Sequence, residues 1–128
     1  MSQEHKGGFE ELEVWKRATD YRIYLTKLSK NFPTEEKFKL TSQLIRAARS
    51  ITANIAEGYG RFHYQENVQF CRVARGSLME TLDHIICASD ETYLNETQLA
   101  ECREKYESIL KLLNGYINYL KQKKESTN

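Results

Sequence analysis

Residues 40–60 read LTSQLIRAARSITANIAEGYG, and this stretch decides the fold. Its apolar residues recur at steps of three and four, which places them on one side of an α-helix. This predicted core face comprises Leu40, Leu44, Ala47, Ala48, Ile51 and Ile55. The glycines from Gly58 to Gly60 predict the end of the helix, because glycine readily takes the left-handed conformation of a helix cap.

The opposite side of this helix is unusual for a surface in water. At 100° per residue it carries small residues, arginines and one glutamate: Ser42, Arg46, Arg49, Ser50, Ala53, Ala56 and Glu57. Small side chains let another helix come close, and arginine is the cation best suited to protein interfaces and to phosphate. The pattern therefore predicts that this helix contacts a partner on its outer side.

Three further helices can be predicted around it. The first has an apolar seam that ends at Phe32-Pro33, since proline pushes the preceding residue out of the helical region. Its seam is Val14, Ala18, Tyr21, Leu25, Leu28 and Phe32. The third is predicted over residues 65–89, with an inward stripe of Phe70, Cys71, Ala74, Leu78, Leu82 and Ile85.

Residues 95–98, Asn-Glu-Thr-Gln, resemble a capping box that opens the fourth helix. Its seam is Leu99, Cys102, Tyr106, Ile109, Leu113, Tyr116 and Leu120. Short connections favour antiparallel neighbours, so the predicted fold is all-α, an antiparallel up-down four-helix bundle. We expect one domain over residues 9–121, with flexible termini at 1–8 and 122–128.

Composition limits the classes of function. The 128 residues carry a formal net charge of +1, so no global excess of charge calls for nucleic acid or membrane. No apolar run approaches the roughly 20 residues that span a bilayer, and the first residues lack the apolar core of a signal peptide. The odd set Cys71, Cys87 and Cys102 favours free thiols, which predicts a cytoplasmic location.

Positive charge is concentrated in the middle of the chain. Between Leu40 and Met79, five arginines stand against Glu57 and Glu66, a local net charge of +3. We predict that they form a buried subunit interface or an anion-binding surface; they are Arg46, Arg49, Arg61, Arg72 and Arg75. The alternative is pairing within a helix, as Glu57 with Arg61 at i, i+4.

Residues with reactive side chains do not form a convincing catalytic set. Glu80 and His84 are spaced for a solvated ion pair rather than a metal site. Gly76-Ser77 lies inside a helix, which is unlike the strained turn that presents a nucleophilic serine. We therefore predict a protein that is not an enzyme, with no metal, no cofactor and no small-molecule substrate.

Several other residues are predicted to have specific roles. Tyr59, Phe62, His63 and Tyr64 lie beside Arg61, so their rings either stack on bases or pack on the end of the bundle. Asn54 is placed to bond across to a neighbouring helix, and Glu57 to accept from Arg61 or from an arginine of another subunit. Gly76, in mid-helix, predicts a close approach by a neighbouring backbone.

Seven short segments between Phe9 and about Leu120 form a specific set in their order and spacing. They are Leu12-Glu13-Val14-Trp15, Phe32-Pro33, Leu40-Thr41-Ser42-Gln43-Leu44, Arg46-Ala47-Ala48, Ser50-Ile51, Asn54-Ile55-Ala56-Glu57-Gly58 and Ala74-Arg75-Gly76-Ser77. Through these segments the chain resembles the 23S rRNA intervening-sequence proteins, which are four-helix bundles.

The resemblance implies assembly more clearly than activity. Similar proteins look like antiparallel bundles that associate into ring-like pentamers, and a similar fold serves as the accessory protein of diversity-generating retroelements, where a basic ring engages a reverse transcriptase and nucleic acid. The expectation is a homo-oligomeric scaffold, a homopentamer, that binds RNA, DNA or a nucleic-acid enzyme. The alternative is a purely structural module that binds only protein.

Overall fold

The computed structural model describes residues 7–127, with side chains to residue 124. Four helices follow in order: α1 (Glu13–Ser29), α2 (Leu40–Tyr59), α3 (Tyr64–Asp90) and α4 (Glu96–Thr127). Short 3-10 helices at Phe9–Glu11 and Thr34–Glu36 precede α1 and α2. The all-α prediction is confirmed, and α2 begins at Leu40, the first residue of its predicted core face. The predicted domain boundary at residue 121 lies inside α4, and the flexibility of the termini stays a prediction.

Contacts between the helices show that neighbours run antiparallel. Between α2 and α3, Arg46 pairs with Glu80, and Ser50 hydrogen-bonds to Ser77. Residue numbers therefore increase along α2 as those of the contacting residues in α3 decrease. The same order relates α3 to α4 through two pairs, Arg75–Asn114 and Tyr106–Met79. It relates α1 to α4 through Arg17–Ser108 and Tyr24–Glu101. The molecule is therefore an up-down bundle.

The core follows the predicted stripes closely. All six predicted seam residues of the first helix are buried, although α1 ends at Ser29, so Phe32 lies just beyond it rather than at its predicted end. Leu44, Ala47, Ala48, Ile51 and Ile55 of α2 are buried as well. The structure adds polar groups that the apolar pattern did not reveal. Thr81 is fully buried, where its hydroxyl lies 2.9 Å from the Tyr21 hydroxyl and donates to the Leu78 carbonyl at 2.6 Å. Each of these buried oxygens is thereby paired.

The end of α2 differs from its prediction. Gly58 lies within the helix, and Gly60, its C-terminal cap, has φ −79° and ψ −4°, so neither glycine takes the left-handed conformation. Gly58 is instead required by packing, because a β-carbon there would lie 2.9 Å from Phe70 Cβ and 3.1 Å from the Asn67 carbonyl oxygen. Glycine at this position lets α3 approach the last turn of α2.

The opposite end of the bundle is closely fastened. The predicted capping box is confirmed: Gln98 donates its backbone N–H to Asn95 Oδ1 at 2.8 Å, and the Asn95 N–H donates to Gln98 Oε1 at 2.9 Å. Tyr93 packs its ring on Phe32 and donates its hydroxyl to Glu36 Oε2 at 2.9 Å. The α1–α2 and α3–α4 connections are thus joined.

Candidate functional site

The five predicted arginines contact different neighbours. Arg46 of α2 lies 3.8 Å from Glu80 of α3, and Arg61, in the loop after α2, donates to Glu57 at 2.9 Å. Arg75 lies on the other side of α3 and donates to Asn114 of α4 at 2.7 Å. These contacts divide the arginines between different neighbours, and the predicted interface or anion-binding surface stays a prediction.

The remaining two arginines are exposed and lie apart. Arg49 is on the outer side of α2, whereas Arg72 of α3 points towards α4. Arg72 borders a recess of about 140 Å³, which we call the basic recess. It is lined by Gln65, Val68, Gln69, Arg72, Lys121 and Lys124. Sequence reasoning missed the two lysines, because only the folded α3–α4 pair places residues about 50 positions apart beside Arg72.

The outer side of the α2–α3 pair has little bulk, as predicted. We call Ser50, Ala53, Val73, Gly76 and Ser77 the seam face. Ala53 and Gly76 are exposed, and Val73 is 53% exposed. The Ser50 and Ser77 hydroxyls lie 2.8 Å apart and join the two helices in the middle of this face. The side chains of this face are short, and Ala53 and Val73 make it partly apolar.

Two predictions about this region are wrong within the described chain. The Asn54 amide donates to the Ser50 carbonyl at 2.8 Å and to Ser50 Oγ at 3.0 Å, so it bonds along its own helix rather than across to another. A β-carbon at Gly76 would meet no described atom within 4 Å, so no neighbouring backbone of this chain approaches it. Gly76 therefore leaves open space on the seam face.

The loop between α2 and α3 carries the aromatic cluster beside the start of α1 and the end of α4. Here a recess of about 460 Å³, which we call the aromatic recess, opens at the end of the bundle. Its lining is Leu12, Tyr59, Arg61, Phe62, His63, Tyr64, Asn67, Tyr116, Tyr119 and Leu120. Phe62 is 90% exposed, so packing of this ring on the bundle end, one of the two alternatives, is wrong.

Hydrogen bonds fix the buried residues at the base of the aromatic recess. Asn67 is buried and its side-chain Nδ2 donates to the Tyr116 hydroxyl at 3.3 Å, while its side-chain Oδ1 accepts from Cys71 Sγ at 3.5 Å. Burial raises the pKa of Tyr116, and it raises the pKa of Cys71 to about 11. Both groups therefore stay neutral at physiological pH and supply fixed dipoles rather than charge.

Other candidate groups show local pairing. Glu80 and His84 lie 3.1 Å apart, as their spacing predicts. Over residues 7–127 no cluster of three or more His, Cys, Asp and Glu side chains suits a metal ion, and none of the described helices is long and apolar enough to cross a membrane. Cys71 and Cys102 are buried free thiols, and Cys87 is an exposed one.

Comparison with known proteins identifies the family of this chain. Residues 10–115 match the model of the 23S rRNA-intervening sequence protein family. The chain belongs to this family. A solved structure from Bacteroides thetaiotaomicron, described as a protein with unknown function from the S23 ribosomal protein family, superposes with a TM-score of 0.76. It shares 23% identity over 82% of this chain and 95% of its own, which supports the fold alone. Among curated proteins, none matches.

Proposed function

We propose that this member of the 23S rRNA-intervening sequence protein family is a non-enzymatic, cytoplasmic, homo-oligomeric scaffold, a ring of five copies, that binds nucleic acid. The observation that carries the nucleic-acid part is the basic recess. Arg72 and Lys121 face it from two helices, and its six described lining residues include no carboxylate. The phosphate backbone of nucleic acid is the polyanion that such a site attracts, since arginine and lysine supply both positive charge and N–H donors.

The seam face supports self-association. An exposed surface of Ala53, Val73 and Gly76 has neither the long charged side chains of a solvated helix nor a covering element within residues 7–127. A helix of a second copy can approach these three residues closely, because their own side chains are short, and Arg49 one turn before Ala53 is placed to border the contact. A ring requires two different contacting patches on each copy, of which the seam face is one.

A second candidate function is a structural module without nucleic acid. The pairs Arg46–Glu80 and Arg61–Glu57 favour it, because these arginines are partly neutralised within the chain before any phosphate arrives. In that case the basic recess binds acidic side chains of a neighbouring copy.

Nucleic-acid binding is tested with a matched pair of charge reversals. Lys121→Glu and Arg103→Glu both alter exposed positions of α4 and change the net charge by the same amount. They lie 18 residues apart, about 27 Å along the helix, which exceeds the Debye length of about 8 Å at physiological salt. We expect Lys121→Glu to weaken binding of labelled duplex and single-stranded oligonucleotides and to lower the salt slope by about one. Equal effects of the two variants would contradict the site, and absence of binding by the unmodified protein would contradict the function.

Self-association is tested in the same way. Ala53→Glu and Ala100→Glu each place a charge at an exposed alanine, the first on the seam face and the second on α4. Light scattering should give a multiple of 15.0 kDa for the unmodified protein and for Ala100→Glu, and a lower mass for Ala53→Glu. A single-copy mass for the unmodified protein, or an unchanged assembly in Ala53→Glu, would refute the interface.

A further inference from the structure

Four of the five exposed aromatic rings of the described residues are gathered at one place. Tyr59, Phe62, Tyr64 and Tyr119 all line the aromatic recess, and all are among the exposed large apolar side chains of the described residues. Phe62 extends furthest into solvent. Exposing apolar ring surface to water is unfavourable. A cluster of exposed rings around one opening therefore indicates a binding surface.

The rings are arranged in a way that leaves flat faces available. Tyr116 and Tyr119 stack with their planes 15° apart and their centroids 6.3 Å apart. Phe62 meets the His63 ring edge-on, with centroids 4.8 Å apart and planes at 81°. Because an edge contact covers little of the Phe62 ring, its faces stay open to a flat partner.

Positive charge borders the rings. Lys123 Nζ lies 5.7 Å from the centroid of Tyr119, and the Arg61 guanidinium, which also pairs with Glu57, lies 4.8 Å over the Phe70 ring. The aromatic and basic recesses also share their helix ends: Tyr64, Asn67 and Leu120 line the first, and the next residue in each case lines the second. The two recesses therefore border the same ends of α3 and α4.

This combination fits an unpaired nucleotide strand. A base has a flat face that stacks on an aromatic ring, and its phosphates are attracted by cations a few ångströms away. In a duplex the faces are already covered by neighbouring bases, so only a single strand, an end or a loop can present them. A volume of about 460 Å³ lies in the range of pockets that hold small molecules, which suits one or two bases.

We propose that the aromatic recess is a stacking site for bases of single-stranded RNA or DNA, whose phosphates continue across the basic recess. This inference rests on the proposed nucleic-acid function and adds the class of ligand. Phe62 and Tyr119 supply the stacking faces, and Arg72 and Lys121 attract the backbone. Discrimination between single strand and duplex then comes from the rings, whereas the cations act on both.

The test uses two phenylalanines that are alike in exposure. Phe62 is 90% exposed in the recess, and Phe38 is 85% exposed just before α2. The 20 residues of α2 separate the two ends by about 30 Å. Neither ring is part of the core, so Phe62→Ala and Phe38→Ala should both fold, which circular dichroism and light scattering can verify. The probes are labelled oligo(dT), oligo(U) and a blunt duplex of equal length.

We expect Phe62→Ala to weaken binding of the single strands by about 5- to 150-fold, the range for loss of one stacked base, and to leave duplex binding within about twofold. Phe38→Ala should change neither. Tyr119→Ala should repeat the effect of Phe62→Ala.

Three outcomes would count against the inference, and they are separable from failure of the proposed function. If single strand and duplex bind equally and Phe62→Ala affects neither, the stacking site is refuted while nucleic-acid binding stands. If Phe38→Ala weakens binding as much as Phe62→Ala, the recess is not the site. If the unmodified protein binds none of the three probes at low salt, the proposed function itself fails.

Discussion

Replacing Gly58 by alanine gives a demanding test of the packing between α2 and α3. A β-carbon there would lie 2.7 Å from Asn67 Oδ1, 2.9 Å from Phe70 Cβ and 3.1 Å from the Asn67 carbonyl oxygen. The amide of Asn67 can rotate away, but the other two atoms move only if α3 moves. Overpacking of this kind costs about 1–3 kcal/mol.

Two smaller effects act in opposite directions. Rotation of the Asn67 amide breaks its buried hydrogen bond to Tyr116, a loss of about 1 kcal/mol. Alanine in place of a helical glycine returns about 1 kcal/mol through its greater helix propensity. Gly58→Ala should therefore lower the free energy of unfolding by about 1–3 kcal/mol.

Gly115→Ala is the matched control. Gly115 lies inside α4, and a β-carbon there would meet no described atom within 4 Å, so only the gain in helix propensity remains. This variant should raise the free energy of unfolding by up to about 1 kcal/mol. Urea unfolding followed by circular dichroism at one fixed protein concentration measures both. The reasoning is refuted if Gly58→Ala is as stable as the unmodified protein or more stable.

Three further predictions concern caps, strain and thiols. Asn95→Ala removes the capping box of α4 and should lower the free energy of unfolding by about 1 kcal/mol. Thr92 has φ 62°, which is costly for a β-branched residue, so Thr92→Gly should raise that free energy by about 1 kcal/mol; both changes are measurable by urea unfolding. Native alkylation followed by mass spectrometry should modify Cys87, with Cys71 and Cys102 reacting only after unfolding. Burial raises the pKa of these two thiols from 9.0 to about 11, so the unfolded chain loses their protons first and stability should fall as pH rises from 9 to 11; a flat pH profile would contradict this.

The sequence predicted the helices and most of the core because the apolar spacing of three and four residues indicates both a helix and its buried side. The seam of α1 and the capping box at Asn95 need only local spacing, and both are confirmed. The role of Gly58 was misread as a cap, since close packing by Asn67 and Phe70 appears only when two helices meet. Local reasoning could not distinguish those two uses of glycine.

The candidate site was less predictable for the same reason. Five arginines between Leu40 and Met79 suggested one surface, but each direction depends on its position around a helix and on which neighbour it faces. Arg72 and Lys121 line the same recess only because α4 runs antiparallel to α3. The aromatic residues near Arg61 were found from sequence because they are consecutive, whereas Tyr119 joins them through the fold alone.

The placement of both recesses at one end of the bundle has a geometric consequence for the proposed ring. Rotation about a single axis brings every copy to the same height, so the recesses of all copies would form one circle around that axis. One strand could then occupy several copies in succession, and its avidity would grow with strand length well beyond that of a single recess.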